Sequence, residues 1–478
     1  MITPVNSAID SIVMKFGGSS VEDAGGFRRV AKIVAERLKQ RPVVVVSAMA
    51  GMTDALLAAV ASAANNQSVE AAELLQPHFA RHAAVCEQLL RPAEADQFHI
   101  ALEHHKRQVF TLLHSLKSDS SQRTALRDAV LATGELLSSA LLSAVMRSSG
   151  IPAVTLDARR CIVTNDEFGN AAPSPNTTMQ TRAEVFPLLS ESKVPVLGGF
   201  IAASGGGMTT TLGRGGSDYT ASIVGAALSA REIQIWTDVS GVLTADPRVV
   251  PGAVTIPRLS YDEAAELAYF GAKVLHPKTI QPAVEGAIPV RICNSRAPAG
   301  ESTLVCAEIE TAAQTVKAIA HKTGITTVQV SSARMLGAYG FLRAIFEVFD
   351  RHRKVVDVVT TSEVSVSLSL DDASDLNAII KDLESLGTVS VETERAMICV
   401  VGAGLRGTPG IAARVFSTIS DINVMLISQG SSSINLTFVI EERQLNEAVR
   451  RLHETFFEAQ AANSVTINEP NRKAASRW

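Results

Sequence analysis

Apolar positions in the first three hundred residues alternate between two spacings. "PVVVVSAM" at 42–49 is a continuous β-branched run, the pattern of a strand buried on both faces, and "SIVMKF" at 11–16 is a second β-rich run. Between them Val30, Ile33, Val34 and Leu38 recur at helical spacing. Further strands are predicted at 151–156, 194–200, 232–238 and 288–294, with long alanine- and leucine-rich helices between the early ones. This alternation predicts an α/β fold, a mostly parallel open sheet sandwiched by helices.

After about residue 310 the texture changes to two shorter, similar units. "GFLRAIFEVFDRHRKVVDVVTTSEVSVSLSL" starts at Gly340 and "GIAARVFSTISDINVMLISQGSSSINLTFVI" at Gly410. Each predicts a strand, a glycine-started helix, two strands split by a polar turn, and a second helix. That is an α+β βαββαβ module, duplicated. The expected organisation is a first domain over 1–308, modules over 315–394 and 395–468, and a tail over 469–478. Strand exchange between the modules is left open. The end of the chain, from Asn463, is expected to add one last strand and then fray.

A chain of 478 residues is long for a single core, so several domains are expected. With 46% hydrophobic and 19% charged residues it is globular rather than disordered. A net charge of −4 offers no electrostatic reason to bind nucleic acid or an anionic membrane. Five cysteines without a C-x-x-C pair suggest neither a zinc site nor a disulfide framework, and fit a reducing cytoplasm. The first residues do not read as a signal peptide, and the apolar stretches read as shorter than the roughly 20 residues that span a bilayer.

Candidate chemistry sits mainly at strand-to-helix junctions. "VMKFGGSS" places Lys15 at a strand end, with Gly17 and Gly18 turning the chain toward a helix. That arrangement suits a phosphate in the crevice of an open α/β sheet, although the lysine precedes the glycines and so does not form a Walker A loop. "TTTLGRGGSDYTA" at 209–221 sets Arg214 between glycines before a helix opened by Ser217 and Asp218, a loop suited to an anion. Other stretches also have plain structural readings. Ser47 and Thr53 in "SAMAGMTDAL" fit a capped helix start, and Glu135 in "LATGELLSSALL" fits a carboxylate at a helix N-terminus. Thr237, Asp238 and Arg248 lie in a turn-rich loop after a strand, and Lys273 and His276 fit a solvated helix end. Gly402, Gly404 and Gly407 match G-x-G-x-x-G. The next strand lacks the acidic residue of a dinucleotide site, so a turn within the second module is expected.

Five ordered stretches, "KFGGSS", "TGELLS", "TTTLGRGGSDYTA", "WTDVSGVLTADPRVV" and "FGAKVLHPKTI", together resemble the aspartate kinases of the amino-acid kinase family. The tandem modules resemble ACT domains, and "TTSEVSVSLSL" is most similar to the lysine-sensitive class. The resemblance implies transfer of the ATP γ-phosphoryl group to the β-carboxylate of L-aspartate, giving 4-phospho-L-aspartate. It implies that Lys15, Gly17 and Gly18 contact the phosphates, Arg214 clamps the α-carboxylate and Glu135 holds the α-ammonium group. Ser47, Thr53 and Ser217 would seat the acceptor and Asp218 would organise the charged centre. Thr237, Asp238, Arg248, Lys273 and Val274 would form the nucleotide side.

Mg²⁺ would accompany ATP, held by phosphates and water rather than by a protein cage. An amino-acid effector, lysine or as runner-up threonine, would bind at Met335, Gly340, Leu342, Asp357, Thr361, Ser362, Glu363 and Val364. Two positions depart from the lysine-sensitive pattern: Leu243 replaces a tyrosine on the nucleotide side, and Ala338 replaces a serine near the effector. A homodimer is expected, with a tetramer as the alternative. Competing readings are a glutamate or N-acetylglutamate kinase and a catalytically inactive amino-acid sensor.

Overall fold

The computed structural model describes residues 10–65, 67–116, 122–271, 275–307, 315–337, 339–430 and 432–458. Two compact units emerge. The first comprises Met1–Val242, Pro257–Tyr261 and Val274–Ile309; the second comprises Leu243–Ile256, Asp262–Lys273 and Glu310–Trp478. Two stretches inside the expected 1–308 domain thus belong by contact to the C-terminal unit.

The first unit opens with β1 (Ile12–Phe16), α1 (Ala24–Ala35) and β2 (Pro42–Val46). A helical block follows: α2 (Met52–Ala64), α3 (Ser68–Leu89), α4 (Pro92–Ser115), α5 (Arg123–Leu131) and α6 (Thr133–Ser148). Next come β3 (Ala153–Leu156), β4 (Val163–Thr164), α7 (Thr177–Ser190), β5 (Val194–Gly198), β6 (Ile201–Ser204) and β7 (Thr209–Thr211). The remainder is α8 (Gly216–Leu228), β8 (Glu232–Thr237), β9 (Arg258–Ser260), α9 (Tyr261–Tyr269), α10 (Pro277–Glu285), β10 (Val290–Asn294) and β11 (Ser302–Cys306). Most of α9 lies in the second unit.

Eight strands form one sheet in the order β3-β5-β2-β1-β8-β10-β11-β9, parallel through its first six members, with β11 antiparallel to β10. The uninterrupted apolar run of β2 follows from this placement, since every residue of the strand is buried. Phe16 stacks on Trp236 at 5.9 Å between β1 and β8. The chain builds outward from β1 toward β3, then returns to place β8 on the other side of β1. That reversal leaves a crevice at the carboxyl ends of the central strands, the usual ligand position in open α/β sheets. The small sheet β4-β6-β7 stands apart, and its strand β7 is the "TTT" that leads into the Arg214 loop.

α5 and α6 form a run of 26 residues, Arg123–Ser148, so one stretch does have the length and composition to cross a membrane. Its most apolar window is 83% buried, and it is packed as a core helix.

The second unit carries β12 (Ala318–Ser331), α11 (Phe341–Arg351), β13 (Val359–Thr361), β14 (Ser365–Leu370), α12 (Leu376–Leu383) and β15 (Thr388–Val401). α13 (Ile411–Thr418), β16 (Leu426–Gln429), β17 (Asn435–Glu441) and α14 (Leu445–His453) complete it. All six strands join in one antiparallel sheet, β13-β14-β12-β15-β17-β16. β14 pairs with Thr326–Ser331 of β12, whereas β17 pairs with Arg395–Val401 of β15. The register of β12 on β15 shifts around Ile325, where one half hands over to the other. The first βαββ repeat is therefore inserted between two strand halves that belong to the second. Each half keeps its own core, one around Ile345, Phe349 and Leu368, the other around Phe438, Val449 and Leu452.

The second core also takes in Ala245 and Val250. Thr244 Oγ1 lies 2.9 Å from His453 Nε2, and the buried Lys317 Nζ meets Glu263 Oε2 at 2.8 Å. These contacts explain why the two stretches fold with the C-terminal unit. Gly402 and Gly404 form a turn after β15: a side chain on Gly402 would strike the Thr315 carbonyl, and Gly404 has a φ of 66°. The expected last strand lies outside the described residues.

Candidate active site

Lys15 is the one partly exposed residue of β1, because its neighbours point into the two helical layers. Its ammonium reaches Asp218 in the first turn of α8, with Nζ to Oδ1 at 2.6 Å, and the side chains are 12% and 17% exposed. The α8 N-terminus has no side-chain cap, and Gly215 turns into it with a φ of 71°. An uncapped N-terminus beside a lysine favours an anion. Gly18 allows the turn after β1 to approach the turn after β2, since a β-carbon there would lie 2.9 Å from the Ala48 carbonyl oxygen. The Gly17 N–H donates to the Trp236 carbonyl at 3.0 Å. That amide is committed to the fold, so Gly17 offers no free N–H donor here.

A cavity of about 440 Å³ opens at this point. Lys15, Ser47, Thr53, Glu135, Arg214, Ser217 and Asp218 all line it. Glu135 enters from α6 and is 3% exposed. One oxygen accepts the Ala48 N–H at 3.3 Å, while the other, Oε2, is buried without a hydrogen-bond partner among the described residues. Burial raises its pKa to about 8, so the carboxyl is largely protonated at neutral pH until a cation arrives. Arg214 is exposed on the Gly213–Gly215 turn, with no ion-pair partner among the described residues. Ser217 packs so closely on Gly199 that a β-carbon at that glycine would overlap it. The cavity thus offers an unneutralised guanidinium, a carboxyl lacking a cation, and a lysine–aspartate pair at an uncapped helix start. Those groups can orient a small zwitterion that carries a further negative group.

Sequence reasoning missed Arg127, Phe200 and Gly169, which also line the cavity. A signal existed, because Arg127, Leu131 and Glu135 are spaced four apart and share one helical face. The adjacent Asp128 is buried and accepts N–H groups from Gly169 and Thr211, both at 2.8 Å. It thereby fixes two cavity-lining segments against α5.

Other predicted positions fall elsewhere. Thr237 and Asp238 end β8 beside β1, and the Thr237 hydroxyl donates to Asp238 Oδ1 at 3.1 Å. Arg248 belongs to the second unit, is highly exposed, and meets Asp246 at 2.5 Å. Leu243 bridges to Thr255 in the same unit. Lys273, Val274 and Ala338 lie outside the described residues.

In the second unit, the predicted effector residues gather around the α11 N-terminus and the β13–β14 turn. Met335 ends a short 3-10 turn, Gly340 leads α11 with a φ of 80°, and Leu342 is exposed in its first turn. The Ser332 N–H donates to the Val364 carbonyl at 2.8 Å and ties the two segments together. Thr361 closes the edge strand β13, and Ser362 accepts the Ser365 N–H at 3.1 Å, which leaves Glu363 at the exposed tip. Asp357 is different, because its side chain is only 1% exposed. It accepts the Tyr269 hydroxyl and faces Lys322 Nζ at 3.9 Å, while that ammonium also sits 4.0 Å from the Tyr269 ring centre.

Comparison with known proteins adds a second line of observation. Residues 10–294 match the model of the amino acid kinase family, and residues 398–456 match an ACT domain. The chain is 36% identical to aspartokinase 2, chloroplastic, of Arabidopsis thaliana, over 93% of this chain and 84% of the relative. It is 37% identical to lysine-sensitive aspartokinase 3 of Escherichia coli K12, over 94% and 99% respectively. The solved structure of E. coli aspartokinase III in complex with aspartate and ADP (R-state) superposes with a TM-score of 0.78, covering 94% of this chain and 100% of that one at 35% identity. Its complex with lysine and aspartate (T-state) gives 0.79 over the same shares at 36% identity.

Proposed function

Because the chain belongs to the amino acid kinase family, and within it to the aspartokinases, we propose that the 440 Å³ cavity seats L-aspartate for phosphorylation by ATP. The protein is an ATP-dependent aspartate kinase. The observation that carries the site assignment is Glu135, whose buried Oε2 has no hydrogen-bond partner among the described residues, lining one cavity with Arg214. An α-ammonium group compensates the first and an α-carboxylate the second. Ser47, Thr53 and Ser217 then flank the β-carboxylate near Lys15. Glu135 disfavours an acetylated amino acid, whose nitrogen carries no charge to hold.

The reaction breaks the bond between the γ-phosphorus and the oxygen bridging to the β-phosphate, and forms one to a β-carboxylate oxygen. The acceptor is already an anion, so no proton needs to be removed. The protein's task is alignment and charge compensation between two anions. Lys15 meets charge on the transferring group, the α8 N-terminus adds positive potential, and Asp218 holds Lys15 in position until the phosphates arrive. Asp218 is the carboxylate beside Lys15 in the cavity. Mg²⁺ arriving with ATP would be held chiefly by phosphates and water, with Asp218 the nearest protein carboxylate, and would further neutralise the phosphates. Thr237 and Asp238, at the end of β8, are assigned to the nucleotide side.

Lysine is the inhibitor assigned to the ACT modules, at the residues around the α11 N-terminus and the β13–β14 turn. A homodimer and a cytoplasmic location complete the proposal; the free state of all five cysteines supports the latter. The deciding experiment incubates the protein with Mg·ATP and a panel of amino acids, traps acyl phosphate with hydroxylamine, and repeats the assay with added lysine. Aspartyl hydroxamate that diminishes with lysine is expected. None under any condition would sink the assignment.

A further inference from the structure

The first unit contains another cavity of about 450 Å³, as large as the one assigned to aspartate. α4 supplies one wall through His104, His105, Arg107, Gln108 and Thr111, whose spacing brings them to one side of the helix. Arg159 and Thr209 face them. Among the described residues no acidic side chain lines this cavity. Its polar lining is two guanidinium groups, two imidazoles, a carboxamide and hydroxyls, a set that matches oxyanions.

Arg159 is held in a fixed plane rather than left to wander in solvent. Asp157 accepts its Nε at 2.9 Å and its Nη2 at 2.6 Å, and its Nη1 donates to Thr209 Oγ1 at 3.2 Å. Arg107 donates through Nε to the Glu103 carbonyl at 3.2 Å, which leaves its two terminal nitrogens without a hydrogen-bond partner among the described residues. Arg159 is thus fixed but already paired with Asp157, and the Arg107 terminal nitrogens are the cation left available to an oxyanion.

The two cavities share a wall. Along α5 and α6, Arg127, Leu131 and Glu135 face the aspartate cavity, whereas Ala129, Thr133 and Leu136 face the other. β7 divides in the same way, with Thr211 on one side and Thr209 on the other. We infer that the second cavity binds a small metabolite bearing phosphate or carboxylate groups, and that its occupant alters aspartate affinity through the α5–α6 junction. The binding half stands alone; the coupling half rests on Glu135 as the ammonium partner.

The test uses the full chain, with inorganic phosphate and succinate as probes at ionic strength held constant with chloride. Binding is measured calorimetrically without nucleotide, and aspartate KM is measured with and without each probe. Arg107 and His104 are exposed and outside the aspartate cavity, so Arg107→Gln/His104→Gln should leave the basal KM and kcat unchanged. Loss of two charge-assisted contacts should weaken binding of the preferred probe about tenfold or more. A parallel Arg214→Ala variant should retain that binding, which separates it from occupancy of the aspartate cavity. Preference for phosphate or succinate identifies the acid group. Binding of both probes that is unchanged in the double variant, or absent in the wild type, overturns the site. Binding lost in the double variant, with an aspartate KM that never responds in the wild type, overturns the coupling. Failure of the Glu135 assignment would appear separately, as an unchanged aspartate KM in Glu135→Gln.

Discussion

Glu135 in the first unit and Asp357 in the second are both buried carboxyl groups whose pKa is pushed up by burial, yet their surroundings differ. Glu135 lines an open cavity and keeps one buried oxygen without a hydrogen-bond partner among the described residues. Asp357 already accepts the Tyr269 hydroxyl and has Lys322 beside it. Glu135 is proposed to hold the ammonium group of aspartate, and Asp357 is among the residues proposed to receive the amino-acid effector. The difference teaches how a resting protein tolerates a buried acid meant for a ligand: a proton fills the first site, and the protein's own side chains fill the second.

The largest test removes the charge that an open site needs. Glu135→Gln keeps the shape but deletes the anion, and truncating one partner of a buried charge pair costs about 3 kcal/mol, roughly a hundredfold in aspartate KM. ATP KM should change little. Equal losses for both substrates would remove the distinction between an ammonium pocket and a general structural acid. Arg214→Ala probes the same cavity from its exposed side. Solvent already screens that guanidinium, so a smaller rise in aspartate KM is expected, about thirtyfold, again without a matching loss for ATP.

A pH profile reads the proton directly. The carboxyl is ordinarily near 4.5 and lies at about 8 in the ligand-free fold. Between those values the folded protein holds a proton that the unfolded chain has lost, so this group's contribution to stability falls as pH rises through the window. Aspartate binding pulls the pKa back down and expels the proton. Aspartate KM should therefore fall with rising pH, by up to about tenfold per unit below pH 8, and then level off. Glu135→Gln should flatten the slope, and an unchanged slope in that variant would assign the titration to another group.

The cavity side of this contrast was partly legible in the sequence. Lys15, Arg214 and Asp218 stand at strand–helix junctions, where the local pattern itself suggests an anion site. Glu135 read locally as a helix-stabilising acid, because nothing in "ATGELL" reveals that the helix start is 3% exposed beside Ala48. Arg127 was missed although its spacing to Glu135 was visible. In the second unit the duplicated modules were legible, but their nesting was not. It depends on β12 and β15 each serving two halves, and pairing over some seventy residues leaves no local mark. Arg248 shows the same limit, because its loop folds with the second unit through Thr244, Ala245 and Val250, residues that look unremarkable in a turn-rich stretch.

The smallest expected effect lies at the filled site. If lysine presents its ammonium to Asp357, it has to displace the Tyr269 hydroxyl, Lys322, or both. Removing an internal competitor should then help the effector, the opposite of what deleting a binding residue does. Tyr269→Phe keeps the ring under Lys322 and deletes one hydrogen bond to a carboxyl, worth about 1 kcal/mol, so lysine should inhibit at about fivefold lower concentration. Asp357→Asn should instead weaken inhibition, and neither change should alter aspartate KM without lysine. Weaker inhibition in Tyr269→Phe would mean that the tyrosine contacts the effector itself, and the contrast between a proton-filled and a side-chain-filled acid would no longer hold.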